Sequence, residues 1–207
     1  MIENKKISSA GYGIALISPT IFEQCRKKNK IRTKKMLSYF DSNNEIFYDF
    51  ISDGAIVPIH HLIYDRYSLF FETTENNNLD LSKWKIICDW EFFNLTIDNS
   101  NSLWLLSFEE LENWNIKKLA GEESIDNVYY DINDNPHIEY KAIKFTFPFS
   151  GQYCLSISGL KKKLLSKNNR ENYGFLFKFK GKEKDIDYLD PSEINFHKLF
   201  EDDNVSD

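Results

Sequence analysis

Between Ile143 and Lys180, apolar and polar residues alternate with a period of two. Ile143, Phe145 and Phe147 interleave with Lys144 and Thr146. Tyr153, Leu155 and Ile157 interleave with Cys154, Ser156 and Ser158, and Phe175, Phe177 and Phe179 with Leu176, Lys178 and Lys180. Such alternation puts one set on each face of a strand, so three half-buried strands are expected, stacked antiparallel behind one apolar face. Shorter runs predict further strands over Gly11–Ile17, Glu45–Ile51, Ala55–Ile59, Tyr67–Thr73, Lys85–Asp89, Phe92–Asp98 and Leu103–Leu106. Asp53-Gly54 reads as a type I′ hairpin turn between the second and third of these.

Helix signals are fewer. Ser18-Pro19 combines an N-cap residue with Pro at the first helical position, which predicts a helix over Pro19–Lys28. Ser107-Phe108-Glu109-Glu110 has the form of a capping box, and Gly121 supplies a stop, so a helix is expected from Phe108 to about Leu119. Phe108, Leu111 and Trp114 would face inwards from it. Asp190-Pro191 repeats the cap logic for a helix near 191–200 that covers the sheet with Ile194, Phe196, Leu199 and Phe200. The pattern predicts a mainly β protein, an antiparallel β-sandwich with a few peripheral helices; α+β is the alternative. One domain is expected over 1–207, with a mobile N-terminal arm about 1–10 and an acidic C-terminal tail about 201–207.

Composition fits a folded chain: 207 residues, 42% hydrophobic and 15% aromatic. The three cysteines (Cys25, Cys88 and Cys154) lack metal-ligand spacing and read as small buried hydrophobes in a reducing compartment. No signal-peptide pattern or long apolar run is present, so a cytoplasmic protein without membrane contact is expected.

Net charge of −6 conceals a block pattern. Residues 1–40 carry +7, residues 41–160 carry −13, residues 161–184 carry +7 and residues 185–207 carry −7. Such blocks bear on partners rather than on fold. The basic runs at 26–35 and 161–170 are candidate nucleic-acid contacts, or solvated cations balancing an acidic body. The acidic stretch interleaves Glu109, Glu110, Glu112, Glu122, Glu123, Asp126 and Asp131 with Tyr129 and Tyr130. Carboxylates that steer encounter beside aromatic anchors suit a basic protein partner.

Catalytic fingerprints are sparse. Dinucleotide, P-loop and nucleophile-elbow motifs are missing from the sequence. Asp131–Asn135 opens like a calcium loop, but Pro136 stands where Gly is needed. His60 and His61 are neighbours that a strand would point to opposite faces, so no metal or cofactor is expected. Glu139-Tyr140-Lys141, with Asp126 upstream, resembles the E-x-K half of the PD-(D/E)-x-K nucleases, which would imply a metal-dependent nuclease using those three residues.

The run Phe147-Pro148-Phe149-Ser150-Gly151-Gln152-Tyr153-Cys154-Leu155-Ser156-Ile157, followed by Phe175–Phe179, is similar to a C-terminal hairpin of all-β bacterial immunity and nuclease-inhibitor proteins. The likeness covers residues 143–180. It implies a cytoplasmic, non-catalytic protein that covers the active site of a cognate toxin, and it carries over no individual binding residue.

Overall fold

The computed structural model of the protein describes residues 5–10, 12–73, 79–130, 132–165, 171–182 and 187–204. Its strands are β1 (Lys6–Ser8), β2 (Gly13–Ile17), β3 (Ile56–His60), β4 (Arg66–Glu72), β5 (Trp84–Ile97), β6 (Ser102–Ser107), β7 (Ser124–Tyr130), β8 (Pro136–Thr146), β9 (Gly151–Lys162) and β10 (Tyr173–Gly181). They form two five-stranded sheets, ordered β1-β4-β10-β9-β5 and β3-β2-β6-β8-β7. Pairing is antiparallel except between β4 and β10, which run parallel. The helices are α1 (Pro19–Lys28), α2 (Met36–Asp41), α3 (Asn44–Ser52), α4 (Phe108–Glu112) and α5 (Ile116–Leu119). The fold is mainly β with a few short helices, as the alternation predicts. No helix among the described residues is long and apolar enough to cross a membrane.

Burial explains the layering. The inner faces of the two sheets meet in one core that joins Leu16, Ile59, Leu105 and Phe145 to Leu69, Phe93, Leu155 and Phe177. The other face of the second sheet is covered by the helices. There Ala15, Ile17, Trp104 and Leu106 meet Phe22, Phe40, Phe50 and Trp114. β6 is therefore apolar from Leu103 to Leu106, with Leu103 and Leu105 turned one way and Trp104 and Leu106 the other. β3 contains Pro58 because it is an edge strand, where a missing N–H costs no ladder bond.

Several expectations are corrected. The three strands of 143–180 do not share a sheet: β8 belongs to the second sheet and β9–β10 to the first. Pro148–Gly151 is thus a crossing between sheets, and Phe145 meets Phe71 of the first sheet across the core instead of lying beside Phe177 along one face. Glu45–Ile51 is helix, not strand. Ile46, Phe47, Phe50 and Ile51 follow helical spacing onto the helix-side core. Asp53-Gly54 ends that helix: Ala55 N donates to Phe50 O at 2.9 Å and Gly54 N to Ile51 O at 3.0 Å, with Gly54 at φ 68. This is the Schellman arrangement rather than a hairpin turn.

The helix expected over 108–119 breaks into α4 and α5. Trp114 N donates to Lys34 O at 3.0 Å, and Asn115 caps α5 by accepting from Lys117 N. Ser107 makes no side-chain cap, so the capping box does not form. Trp114 is nevertheless a core anchor, its ring 4.4 Å from Phe22. Lys85–Asp89 and Phe92–Asp98 are one bulged strand, β5, with register shifts at Ile86/Cys88 and Trp90/Phe93. Residues 191–200 form 3-10 turns (Pro191–Glu193 and Phe196–Asn204) in place of an α-helix, yet Phe196, Leu199 and Phe200 close the inter-sheet core as expected. Cys25 and Cys154 are buried and Cys88 is half-buried.

Within the arm expected over 1–10, Lys6–Ser8 pairs antiparallel with β4 and Ile7 is fully buried. Residues 1–4 and 205–207 lie outside the described residues. Glu171 fastens this strand: it pairs with Lys6 and, at 3.2 Å, with Arg66. Burial pushes the Glu171 carboxyl up, but the Lys6 bond and the Lys6 and Arg66 charges outweigh it and hold the pKa below the ordinary carboxylate value. A depressed folded pKa contributes stability above the unfolded value of about 4.3, lost as pH falls through the folded value. Glu171→Gln is expected to cost about 1 kcal/mol at pH 7 in urea unfolding, with the difference fading below about pH 4.

Candidate functional site

β7 and β8 leave the body of the sandwich as a two-stranded ribbon. Near Ser124–Ile125 and Ala142–Ile143 the strands still roof the core, whereas 126–130 and 132–138 are largely open to solvent. Register places Val128 opposite Ile138 and Tyr130 opposite Pro136 on one face, with Tyr129 opposite His137 on the other. Tyr129 and His137 stack at 5.3 Å. Val128 is 52% exposed, Tyr129 38%, Tyr130 66% and Ile138 49%, so neither face is buried against the body. β7 is also a sheet edge, paired only with β8 among the described residues. Six acidic residues and no Lys or Arg lie between Gly121 and Tyr140.

The nine residues expected to bind a partner divide into two groups. Glu109 pairs with Lys141 at 2.8 Å, Glu110 with Lys118 at 3.3 Å and Glu123 with Lys144 at 2.9 Å. Glu112 accepts the Ser38 amide at 3.0 Å and the Ser38 hydroxyl at 2.8 Å, tying α4 to the first turn of α2. Those bonds hold its carboxyl below the ordinary value. These four carboxylates have partners within the chain, although Glu109 and Glu123 also stay open to solvent. Glu122, Asp126, Tyr129 and Tyr130 remain exposed at the ribbon, and Asp131 lies outside the described residues. Val128 and Ile138, which complete the apolar face, carried no acidic or aromatic signal in the sequence. Their opposed placement depends on the register of a pairing that sequence alone does not fix.

Glu139 and Lys141 are held in separate pairings. Pairing passes from Ile125–Ala142 to Asp126–Tyr140, so Lys141 is the extra residue of a bulge and the alternation that would align it with Glu139 is interrupted. Glu139 accepts from Ser8 Oγ at 2.8 Å and Tyr64 OH at 2.9 Å, which anchors the ribbon root to the first sheet. Lys141 is raised above the ordinary lysine value chiefly by its bond to Glu109, and so stays a protonated partner. A polar cleft of about 550 Å³ opens at this root, lined by Asp126, Tyr129 and Glu139 together with Ser8, Tyr64 and Arg66. Among the described residues no group of three or more His, Cys, Asp or Glu is placed to hold a metal.

Both basic runs are partly spent inside the fold. Arg26 pairs with Glu23 at 2.6 Å and donates to Thr33 O, and Lys28 pairs with Asp53 at 3.1 Å. In the second run Lys162 lies over the Trp84 ring and Lys163 donates to Ser82 O, while 166–170 fall outside the described residues. His60 and His61 are not turned apart as expected. His61 adopts φ 60, which breaks the alternation and brings the rings to 4.3 Å. Compared with known proteins, the chain matches no family model, no curated protein and no solved structure.

Proposed function

We propose that the protein is a non-catalytic binding protein that receives a basic protein partner on the β7–β8 ribbon. The supporting observation is the ribbon itself: large apolar side chains exposed on both of its faces, on an edge left unpaired among the described residues, in an unbroken acidic stretch. A ribbon whose large apolar side chains stay this exposed gains from being covered, and exposed apolar residues on an edge strand are otherwise an aggregation liability. Its charge favours an occupant rich in Lys and Arg, because complementary fields speed encounter and repel acidic competitors. The immunity-type reading follows from the likeness of residues 143–180: the partner is then a cognate bacterial toxin, and a nuclease has the basic active-site surface that such acidity fits.

Native isolation from the source cells tests this. The tagged wild-type protein should retain a stoichiometric basic partner that the Val128→Asp, Tyr130→Ala double variant, folded by circular dichroism, does not retain. An acidic partner, or equal retention by both forms, would rule the reading out.

A further inference from the structure

A second concavity, away from the ribbon, carries its own chemistry. Between the helix layer and the β3 edge lies a cleft of about 530 Å³, within the range of small-molecule sites. Its walls are Phe40, Phe47, Tyr48, Pro58 and Phe108, the first two stacked at 4.6 Å. At its mouth stand Tyr12 and His61, from the linked ends of β2 and β3, where Leu62 N donates to Tyr12 O at 3.0 Å. Both hold the left-handed conformation, Tyr12 at φ 64 and His61 at φ 60. Residues with a Cβ seldom hold that conformation, and strained positions of this kind cluster at ligand clamps. Here the two strained residues rim one cleft. Tyr12 is 73% exposed, so no packing of its own side chain accounts for the strain.

The charges in the cleft have one sign. Asp41 and Glu193 line it, and among the described residues no Lys or Arg does. Neither carboxylate has an ion-pair partner among the described residues. His60 Nε2 lies 3.3 Å from Pro191 O, and burial, then the adjacent His61, lowers its pKa, so its imidazole is neutral at neutral pH. A mostly apolar space walled by aromatic rings and edged by two unpaired carboxylates repels anions and attracts a positive charge set against ring faces.

We propose that this cleft is a binding site for a small organic cation with an aromatic body, of the arylalkyl-ammonium class. The aromatic body enters among Phe40, Phe47 and Phe108, and the ammonium group stays near Asp41, Glu193 and the faces of Tyr12 and Tyr48. The assignment is independent of the ribbon and holds or fails without it.

Isothermal titration calorimetry of the full chain with benzyltrimethylammonium, benzyl alcohol and benzoate tests it. The cation is expected to saturate one site and to bind about tenfold more tightly than benzoate, the neutral alcohol falling between them. In the Asp41→Asn, Glu193→Gln variant, at exposed positions that leave the fold intact, cation affinity should fall about fivefold while the alcohol is unaffected. Amide shifts of Tyr12, Tyr48 and His61 should move on titration. Benzoate binding as tightly as the cation, an unchanged cation affinity in the neutralised variant, or no saturable binding at millimolar cation would each overturn the proposal.

Discussion

Phe145→Ala is expected to unfold at markedly lower urea, with a loss of about 4 kcal/mol. Phe145 is 2% exposed on β8, and its ring lies 3.8 Å from that of Phe71 on β4, in the opposite sheet. Phe71 stacks in turn on Phe177 at 5.1 Å and Phe179 at 6.1 Å, so one ring from the second sheet completes an aromatic column in the first. Removing it leaves a void between two hydrogen-bonded ladders that cannot draw together, and the cavity adds to the lost transfer energy. The midpoint should shift while the urea dependence of ΔG stays constant, as for a two-state change in stability. Phe145→Leu should cost roughly 1.5 kcal/mol, since it keeps most of the volume. Phe149→Ala, at a ring 61% exposed just beyond the strand, should stay within about 0.5 kcal/mol. A Phe145→Ala cost near that of Phe149→Ala would mean that the two sheets do not meet through this column.

That column shows what alternation reveals and what it leaves open. Ile143, Phe145, Leu155, Ile157, Phe175 and Phe177 were recognisable as inward-facing because a period of two marks a face, and all six are buried in one core. The pattern is silent on which sheet each strand joins, for a face is equally buried beside its neighbour or opposite it. The parallel β4–β10 pairing is beyond reach for the same reason, since nothing local records a partner about a hundred residues away. Helix α3 was lost to a local ambiguity: Asp-Gly serves a hairpin turn and a helix C-terminus alike, and only the spacing of Ile46, Phe47, Phe50 and Ile51 separates the two. The long helix over 108–119 failed through tertiary competition, as the carbonyl of Lys34 takes the Trp114 amide where the helix would have continued. The candidate site was legible to a similar depth. The acidity of 109–131 is plain in composition, but the lysines that engage Glu109, Glu110 and Glu123 reach them through β8 pairing and the turn of α5. Counting charges does not separate carboxylates paired within the chain from carboxylates left to a partner.

Charge and apolar contact at the ribbon should separate in the kinetics of partner binding. Glu122 and Asp126 are exposed, so reversing them to Lys should slow association about tenfold at low salt and leave dissociation little changed. That difference should shrink as salt rises, because exposed charges are screened beyond roughly 8 Å at physiological ionic strength. Glu123 is left out of the set, since a Lys there would also break its pair with Lys144. Tyr130→Ala should act on the other rate: with Val128, Ile138 and Pro136 it forms the apolar face, and burial of such a ring by a partner makes it a hot spot worth about 2 kcal/mol, or roughly thirtyfold in dissociation. Tyr129 and Tyr130 are both exposed and neither is a core residue, so neither substitution should shift the melting temperature appreciably. Tyr129 lies on the opposite face against His137, and Tyr129→Ala should leave dissociation within about threefold of wild type. Surface plasmon resonance on the isolated partner reads both rates. Equal effects of the two tyrosines would mean that the partner wraps the ribbon rather than seating on one face, and no effect of either would place the interface elsewhere on the molecule.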